Sequence, residues 1–203
     1  LVTMLVQLFV SYRLIKITLN IQKVMTESPF FPMGNSGQSI DPATAIDVSV
    51  DDDPFQGPVG APVVIVGFFD YGCPFCAQAN SVLGSIVKSY KTQVKLVMRD
   101  FPLDTNSEMA AKAAQCAYKQ GAFWQMHERL FESQGGFGME ALNDLASELQ
   151  LEVDEFGDCM QSESTVQEVE HDKEDGNAYG VEGTPTIFIN GMRIRGLVSR
   201  STL

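Results

Sequence analysis

With 203 residues, 44% of them hydrophobic and 20% charged, the chain can bury a full core and reads as one globular domain or one domain carrying an insertion. A formal charge of −12, from 26 acidic and 14 basic side chains, repels phosphate backbones and anionic head groups and argues against nucleic acid as a partner. Four cysteines are too few for a disulfide scaffold at this length, so their positions have to be argued one by one.

Residues 1–25, LVTMLVQLFVSYRLIKITLNIQKVM, begin without a start methionine. Their apolar run is cut by Arg13 and Lys16 before it reaches the roughly 20 residues that span a bilayer. In a secretory signal the positive charge precedes the apolar core, whereas Arg13, Lys16 and Lys23 follow it here. The segment reads as an incomplete signal or anchor, or as upstream sequence translated in error, and leaves membrane anchoring open. Residues 26–60, rich in proline and carrying Asp51-Asp52-Asp53, have the composition of an extended tether, which places the start of the folded part near Ala61.

From Ala61 the hydrophobic period changes several times. PVVIVGFF is short, β-branched and continuously apolar, as expected of a strand covered on both faces. Pro74 stands at the favoured first-turn position of a helix, and Ala77, Val82, Ile86 and Tyr90 supply an apolar stripe down it. QVKLVMRDF reads as the next strand, giving a strand–helix–strand unit with parallel pairing over residues 61–104. Residues 105–178 are a block of helix-forming segments broken at Gly121, Gly135 and Gly136. In residues 179–203, TPTIFING and MRIRGLV form two strands around an Asn-Gly turn, so the sheet resumes after a helical interruption.

The chemistry concentrates where the first strand ends, at Cys73-Pro74-Phe75-Cys76. A thiolate at a helix start faces unpaired backbone N–H groups and the positive end of the helix dipole, which lowers its pKa. A second cysteine three positions on can close a small-ring disulfide with the first and reopen it by exchange. The plainer alternative is half of a zinc site, which needs two further ligands, and only Cys116, Cys159, His127 and His171 remain for that.

Four ordered blocks, GPVGAPVVIVGFFDYGCPFC, MRDFPL, AAQCAYKQGAFWQMHERLFESQ and GVEGTPTIFING, resemble the DsbA-like thiol:disulfide oxidoreductases. The resemblance implies an α/β, thioredoxin-like fold with an inserted α-helical domain. It also implies Cys73 as nucleophile, Cys76 as the buried resolving thiol, and Thr184-Pro185 as a cis-proline loop that meets the substrate peptide by strand addition. Cysteine-containing proteins would be the substrates, a separate redox partner would reset the Cys73–Cys76 pair, and no metal or organic cofactor beyond the redox-active disulfide is expected. An extracytoplasmic site of action, periplasmic or anchored facing outward, follows from the same resemblance. Oxidase, reductase and isomerase share these features, and a non-catalytic zinc- or peptide-binding module of the same fold stays open beside them.

Three departures stand out. Gly67 occupies the strand position where relatives often carry a glutamate that moves the resolving thiol's proton, so proton transfer here would rely on water. The Pro74-Phe75 dipeptide lacks the imidazole of the strongest oxidants, leaving Cys73 more dependent on the helix start. The chain ends where the family continues into a last helix.

Phe123, Trp124, His127, Leu130 and Phe131 recur at helical spacing as a core stripe, with His127 a hydrogen-bonded core histidine. His171 lies in the charged run QEVEHDKEDGN, read as a solvated helix face. Cys116 and Cys159 fall on two different helices of the inserted block. They form either a structural disulfide, two inert buried thiols, or a second redox or metal site.

Overall fold

A computed structural model of the chain describes residues 11, 12, 15, 16, 19, 45–50 and 52–195, the last by its backbone alone. The signal or anchor expected over 1–25 lies almost wholly outside these residues, and the expected loss of a last helix beyond 195 lies wholly outside them. Among the described residues no helix is long and apolar enough to cross a membrane.

The elements run in chain order as β1 (Phe55–Gln56), β2 (Val63–Phe69), α1 (Pro74–Ser89), β3 (Val94–Asp100), α2 (Thr105–Lys119), α3 (Phe123–Ser133), α4 (Met139–Glu148), α5 (Val153–Gln161), α6 (Glu163–Ala178), β4 (Thr186–Ile189) and β5 (Met192–Arg195). The strands form one sheet in the order β1-β3-β2-β4-β5. β2 runs parallel to β3 from Val63↔Val94 to Phe69↔Asp100 and antiparallel to β4 from Ile65↔Ile189 to Phe68↔Thr186. Asn190 and Gly191, both at positive φ, make the turn into β5 that the Asn-Gly pair predicts.

Strand alternation divides the core in two. Ile65 and Phe69 of β2 and Ile187 and Ile189 of β4 face α1 and the helices of the insertion, together with Leu83, Phe131 and Phe156. Val66, Phe68 and Phe188 face the other way, under Tyr179 and Val181 from the end of α6. This two-sided burial explains why β2 reads as an unbroken apolar run. It is a thioredoxin-like sheet with an α-helical insertion between β3 and β4, the fold class expected from the sequence.

Three expectations are corrected. Residues 46–50 and 52–60 do not behave as a tether: Ile46 N–H donates to the Gly191 carbonyl at 3.0 Å, Pro54 accepts from Met98 N–H at 3.0 Å, and β1 pairs antiparallel with the edge of β3. Ordering begins upstream of Ala61 because the Asp-rich stretch supplies Asp53, only 2% exposed, as a counter-charge for a buried arginine. The buried stripe of α1 is Cys76, Ala79, Leu83 and Ile86, with Ala77, Val82 and Tyr90 only half-buried beside it, so the helix is rotated to bring Cys76 inward. The run around His171 is not a wholly solvated face either. His171 is exposed, but Asp172 next to it is 0% exposed and pairs with Arg99 of β3 at 2.6 Å.

Candidate active site

Topology alone gathers the site at one end of the sheet. Antiparallel pairing of Phe68 with Thr186 sets the exit of β2 beside the entry of β4, and parallel pairing of Phe69 with Asp100 brings the exit of β3 to the same end. The segments 70–73, 183–185 and 101–104 therefore converge.

Cys73 is the N-cap of α1, with extended backbone (φ −86°, ψ 117°) and Pro74 following at the first helical position. Its side chain makes no capping bond, so the sulfur is left over the open helix end. It is half-buried and points at the Thr184 carbonyl, which accepts from the thiol at 3.5 Å. Cys76, one turn inward, is fully buried, and its sulfur accepts from the Asp70 N–H at 3.5 Å. Both are free thiols. The Thr184–Pro185 peptide bond is cis, as the resemblance implies. Phe75 is 37% exposed and stands outside beside Pro74.

Their electrostatics are opposite. The Cys73 thiol is pulled down from its ordinary value of 9.0 to about 6, chiefly because the Cys76 thiol hydrogen-bonds the anionic sulfur. Burial opposes this, and the backbone N–H groups of Cys76 and Phe75 and the Thr184 side chain assist it. The Cys76 thiol is driven far above the ordinary range, first by burial and then by the neighbouring Cys73. At neutral pH the pair therefore holds one thiolate, on the accessible sulfur, and one proton, on the buried one. The Thr184 hydroxyl is buried, makes no hydrogen bond among the described residues in this geometry, and favours the anionic form of both sulfurs.

Gly67 leaves no carboxylate beneath the pair. A Cβ built there would run into the ring of Phe69, which folds back along its own strand and fills the space a larger side chain would need. Asp70 does not stand in for the missing acid. Its carboxylate accepts from Gly72 N–H and Ser107 Oγ at 2.6 Å and from Leu103 N–H at 2.8 Å, lashing the β2–α1 loop to the β3–α2 loop. This bracing role was not evident from the sequence pattern around Asp70. An aspartate two residues before a glycine at a strand exit is the local turn signal that could have shown it.

The insertion packs behind this loop. His127 of α3 is 1% exposed, with one ring nitrogen against Tyr71 and the other against Asn80, as a hydrogen-bonded core histidine should be. A cleft of about 450 Å³ opens between α1 and α3, with Asn80, Ser81, Ser85, Trp124 and His127 in its wall. Cys116 of α2 and Cys159 of α5 are joined by a disulfide with Cα atoms 5.7 Å apart, so they are not two free thiols.

A family model described as Thioredoxin matches residues 49–203. The chain belongs to the thioredoxin family. Within it, the DsbA-like thiol:disulfide oxidoreductases share its architecture. Oxidised BdbD from Bacillus subtilis superposes with a TM-score of 0.69 at 28% identity, covering 75% of this chain and 89% of that one. A thioredoxin-like oxidoreductase from Silicibacter pomeroyi does so with a TM-score of 0.64 at 28% identity, covering 73% and 86%. The thiol-disulfide exchange protein alpha-DsbA2 from Wolbachia pipientis shares the fold at a TM-score of 0.68 and 24% identity, covering 75% and 83%. Among curated sequences, Na(+)/H(+) antiporter NhaA 3 of Salinispora tropica is 36% identical over 154 residues, which is 74% of this DsbA-like chain and 24% of that protein. NhaA of Herminiimonas arsenicoxydans is 30% identical over 151 residues, 74% and 24%. The chain thus spans about a quarter of the length of the curated relatives it matches.

Proposed function

We propose that this DsbA-like chain oxidises cysteine pairs in exported proteins by thiol–disulfide exchange through Cys73 and Cys76. The observation that carries the direction is the depression of the Cys73 thiol to about 6 beside a strongly raised Cys76. A thiolate stabilised in the dithiol form stabilises that form over the disulfide, and so makes the disulfide a stronger oxidant.

The exchange balances as follows. A substrate thiolate attacks Cys73 Sγ of the Cys73–Cys76 disulfide, forming the substrate–Cys73 bond while Cys76 departs and takes up a proton. The substrate's second thiolate attacks its own sulfur in this mixed disulfide, closing the substrate disulfide and expelling Cys73 as a thiolate. Two electrons pass from substrate to protein. A redox partner must then accept them to restore the pair. With Thr184 O at 3.5 Å from the Cys73 sulfur, a peptide bonded to that sulfur has to run alongside Thr184 and Pro185, which supports their part in peptide binding. The chemistry asks for an oxidising compartment, which supports action outside the cytoplasm.

Zinc holding is the weaker reading. The cluster of three potential ligands among the described residues is Asp53, Glu168 and Asp172, and it includes neither thiol.

Equilibration of the chain with mixtures of reduced and oxidised glutathione, followed by assay on a reduced disulfide-requiring test protein, tests the proposal. An oxidase holds its dithiol form under conditions that keep ordinary disulfides intact, and reactivates the test protein. Rapid reduction of insulin by the dithiol form, without that reactivation, would mark a reductase.

A further inference from the structure

We infer that His127, a residue of the inserted domain, is a positioning residue for the redox pair, acting through a hydrogen-bond relay that grips the chain on both sides of Cys73 and Cys76. This deepens the oxidoreductase reading above and rests on it.

The relay has three members. Tyr71 lies two positions before Cys73, in the β2–α1 loop, and its hydroxyl is 2.9 Å from His127 Nδ1. Asn80 lies one turn beyond Cys76 on α1, and its side-chain oxygen is 2.9 Å from His127 Nε2. An amide oxygen only accepts, so Nε2 carries the proton, Nδ1 is the acceptor, and Tyr71 is the donor. Burial keeps the imidazole in this neutral form by pushing its pKa down to about 3. One donor and one acceptor, each with one partner, leave the ring satisfied in a single orientation. The aromatic rings of Phe123, Trp124 and Phe131 close around it with centroids 4.9–5.3 Å away.

The consequence is geometric. Residues 71 and 80 bracket the pair, so one imidazole fixes the loop that delivers Cys73 against the helix that carries Cys76. The largest influence lowering the Cys73 pKa is its hydrogen bond with Cys76, and such a bond weakens steeply with small displacements. Gln134 at the end of α3 adds a second tie from the same helix, donating to the Tyr71 carbonyl at 3.4 Å. The insertion thereby acts on the redox pair through the residues on either side of it.

The test compares the full chain with His127→Phe, His127→Gln, Tyr71→Phe and Asn80→Ala. Two readouts are used: the thiolate absorbance of Cys73 against pH, and the equilibrium with glutathione. His127→Phe, which fills the cage without a polar atom, should raise the Cys73 pKa by about half a unit or more and weaken the disulfide as an oxidant by about threefold or more. His127→Gln keeps one donor and one acceptor and should recover most of the wild-type behaviour. Tyr71→Phe and Asn80→Ala each remove one end and should move both readouts in the same direction as His127→Phe, and they carry the test if that variant does not fold. Wild-type titration near the ordinary thiol range would overturn the oxidase reading itself. Wild-type titration near 6 with all variants unchanged would overturn only the relay. A His127→Gln variant as displaced as His127→Phe would show that the ring's shape matters and its hydrogen bonds do not, and would also overturn it.

Discussion

The Cys73 sulfur lies 3.5 Å from the carbonyl oxygen of Thr184, a residue 111 positions away in the chain. The same residue's buried hydroxyl favours the anionic form of both thiols. Thr184→Val keeps the side-chain shape and removes that hydroxyl. The Cys73 pKa should rise above about 6, and the rate of exchange at pH 6 should fall in proportion to the lost thiolate. Alkylation of the reduced protein across pH reads both; an unchanged titration would mean that the hydroxyl has no electrostatic part.

Stability of the dithiol form should depend on pH in a way the disulfide form does not share. The folded Cys73 pKa of about 6 lies below the unfolded thiol value of roughly 8.5, so folding stabilises the thiolate. That stability is fully present above the unfolded pKa and is lost as pH falls through about 6. Cys76, raised on folding, acts with opposite sign only above the ordinary thiol range. Denaturant melts of the reduced protein should therefore show stability rising from pH 6 to about 8.5, and Cys73→Ser should remove the rise.

Replacing Cys116 and Cys159 together by alanine releases a loop whose ends are 43 positions apart. Loop-closure entropy places the loss at roughly 3 to 4 kcal/mol of stability. Equilibrium denaturation of the double variant checks this, and glutathione equilibration of its Cys73–Cys76 pair should stay within about twofold of wild type, because the bridge links α2 to α5 and neither helix carries the pair.

Asp100 is buried at the end of β3, where burial and the neighbouring Asp172 raise its pKa well above the usual carboxylate range. Its carboxylate accepts from Gln115 Nε2 at 2.8 Å, a bond that an asparagine oxygen can also make. A carboxyl raised on folding favours the native state below its unfolded pKa and loses that contribution as pH rises through the folded one. Asp100→Asn should therefore be more stable than wild type at neutral pH, with a flatter profile on the acid side. Thermal melts across pH measure it; a less stable variant at pH 7 would show that the charge is needed by Arg99.

What could be read from the sequence was what short-range chemistry determines. The Cys73 N-cap, the Pro74 start, the Asn190-Gly191 turn and the alternation of β2 each depend on a few neighbouring residues. The His127 stripe was legible because helical spacing separates a buried face from a wet one. The ion pairs of Arg99 were not, because Asp172 sits 73 positions away in a run where Glu170, His171 and Lys173 are exposed. Composition cannot say which acid in such a run turns inward. Asp53 was lost the same way, since an Asp-rich stretch looks like solvated linker until its counter-charge is placed. The partners of His127 were equally hidden: Tyr71 and Asn80 lie 56 and 47 positions from it.

The clasp between Val64 and Asn190 carries a consequence for how the chain folds. Val64 N–H donates to the Asn190 side chain at 2.8 Å, and Asn190 N–H donates to the Val64 carbonyl at 2.8 Å, across 126 positions. The central strand therefore lacks its β4 partner until residues 126 positions further on are in place, whereas the bridge between α2 and α5 closes across 43. Contacts this distant are slow to form, and local helical ones are fast. The helices of the insertion should form first, with β2 held open at one edge until β4 arrives. During that interval the half-built sheet is the surface on which a nascent chain is exposed to misassembly.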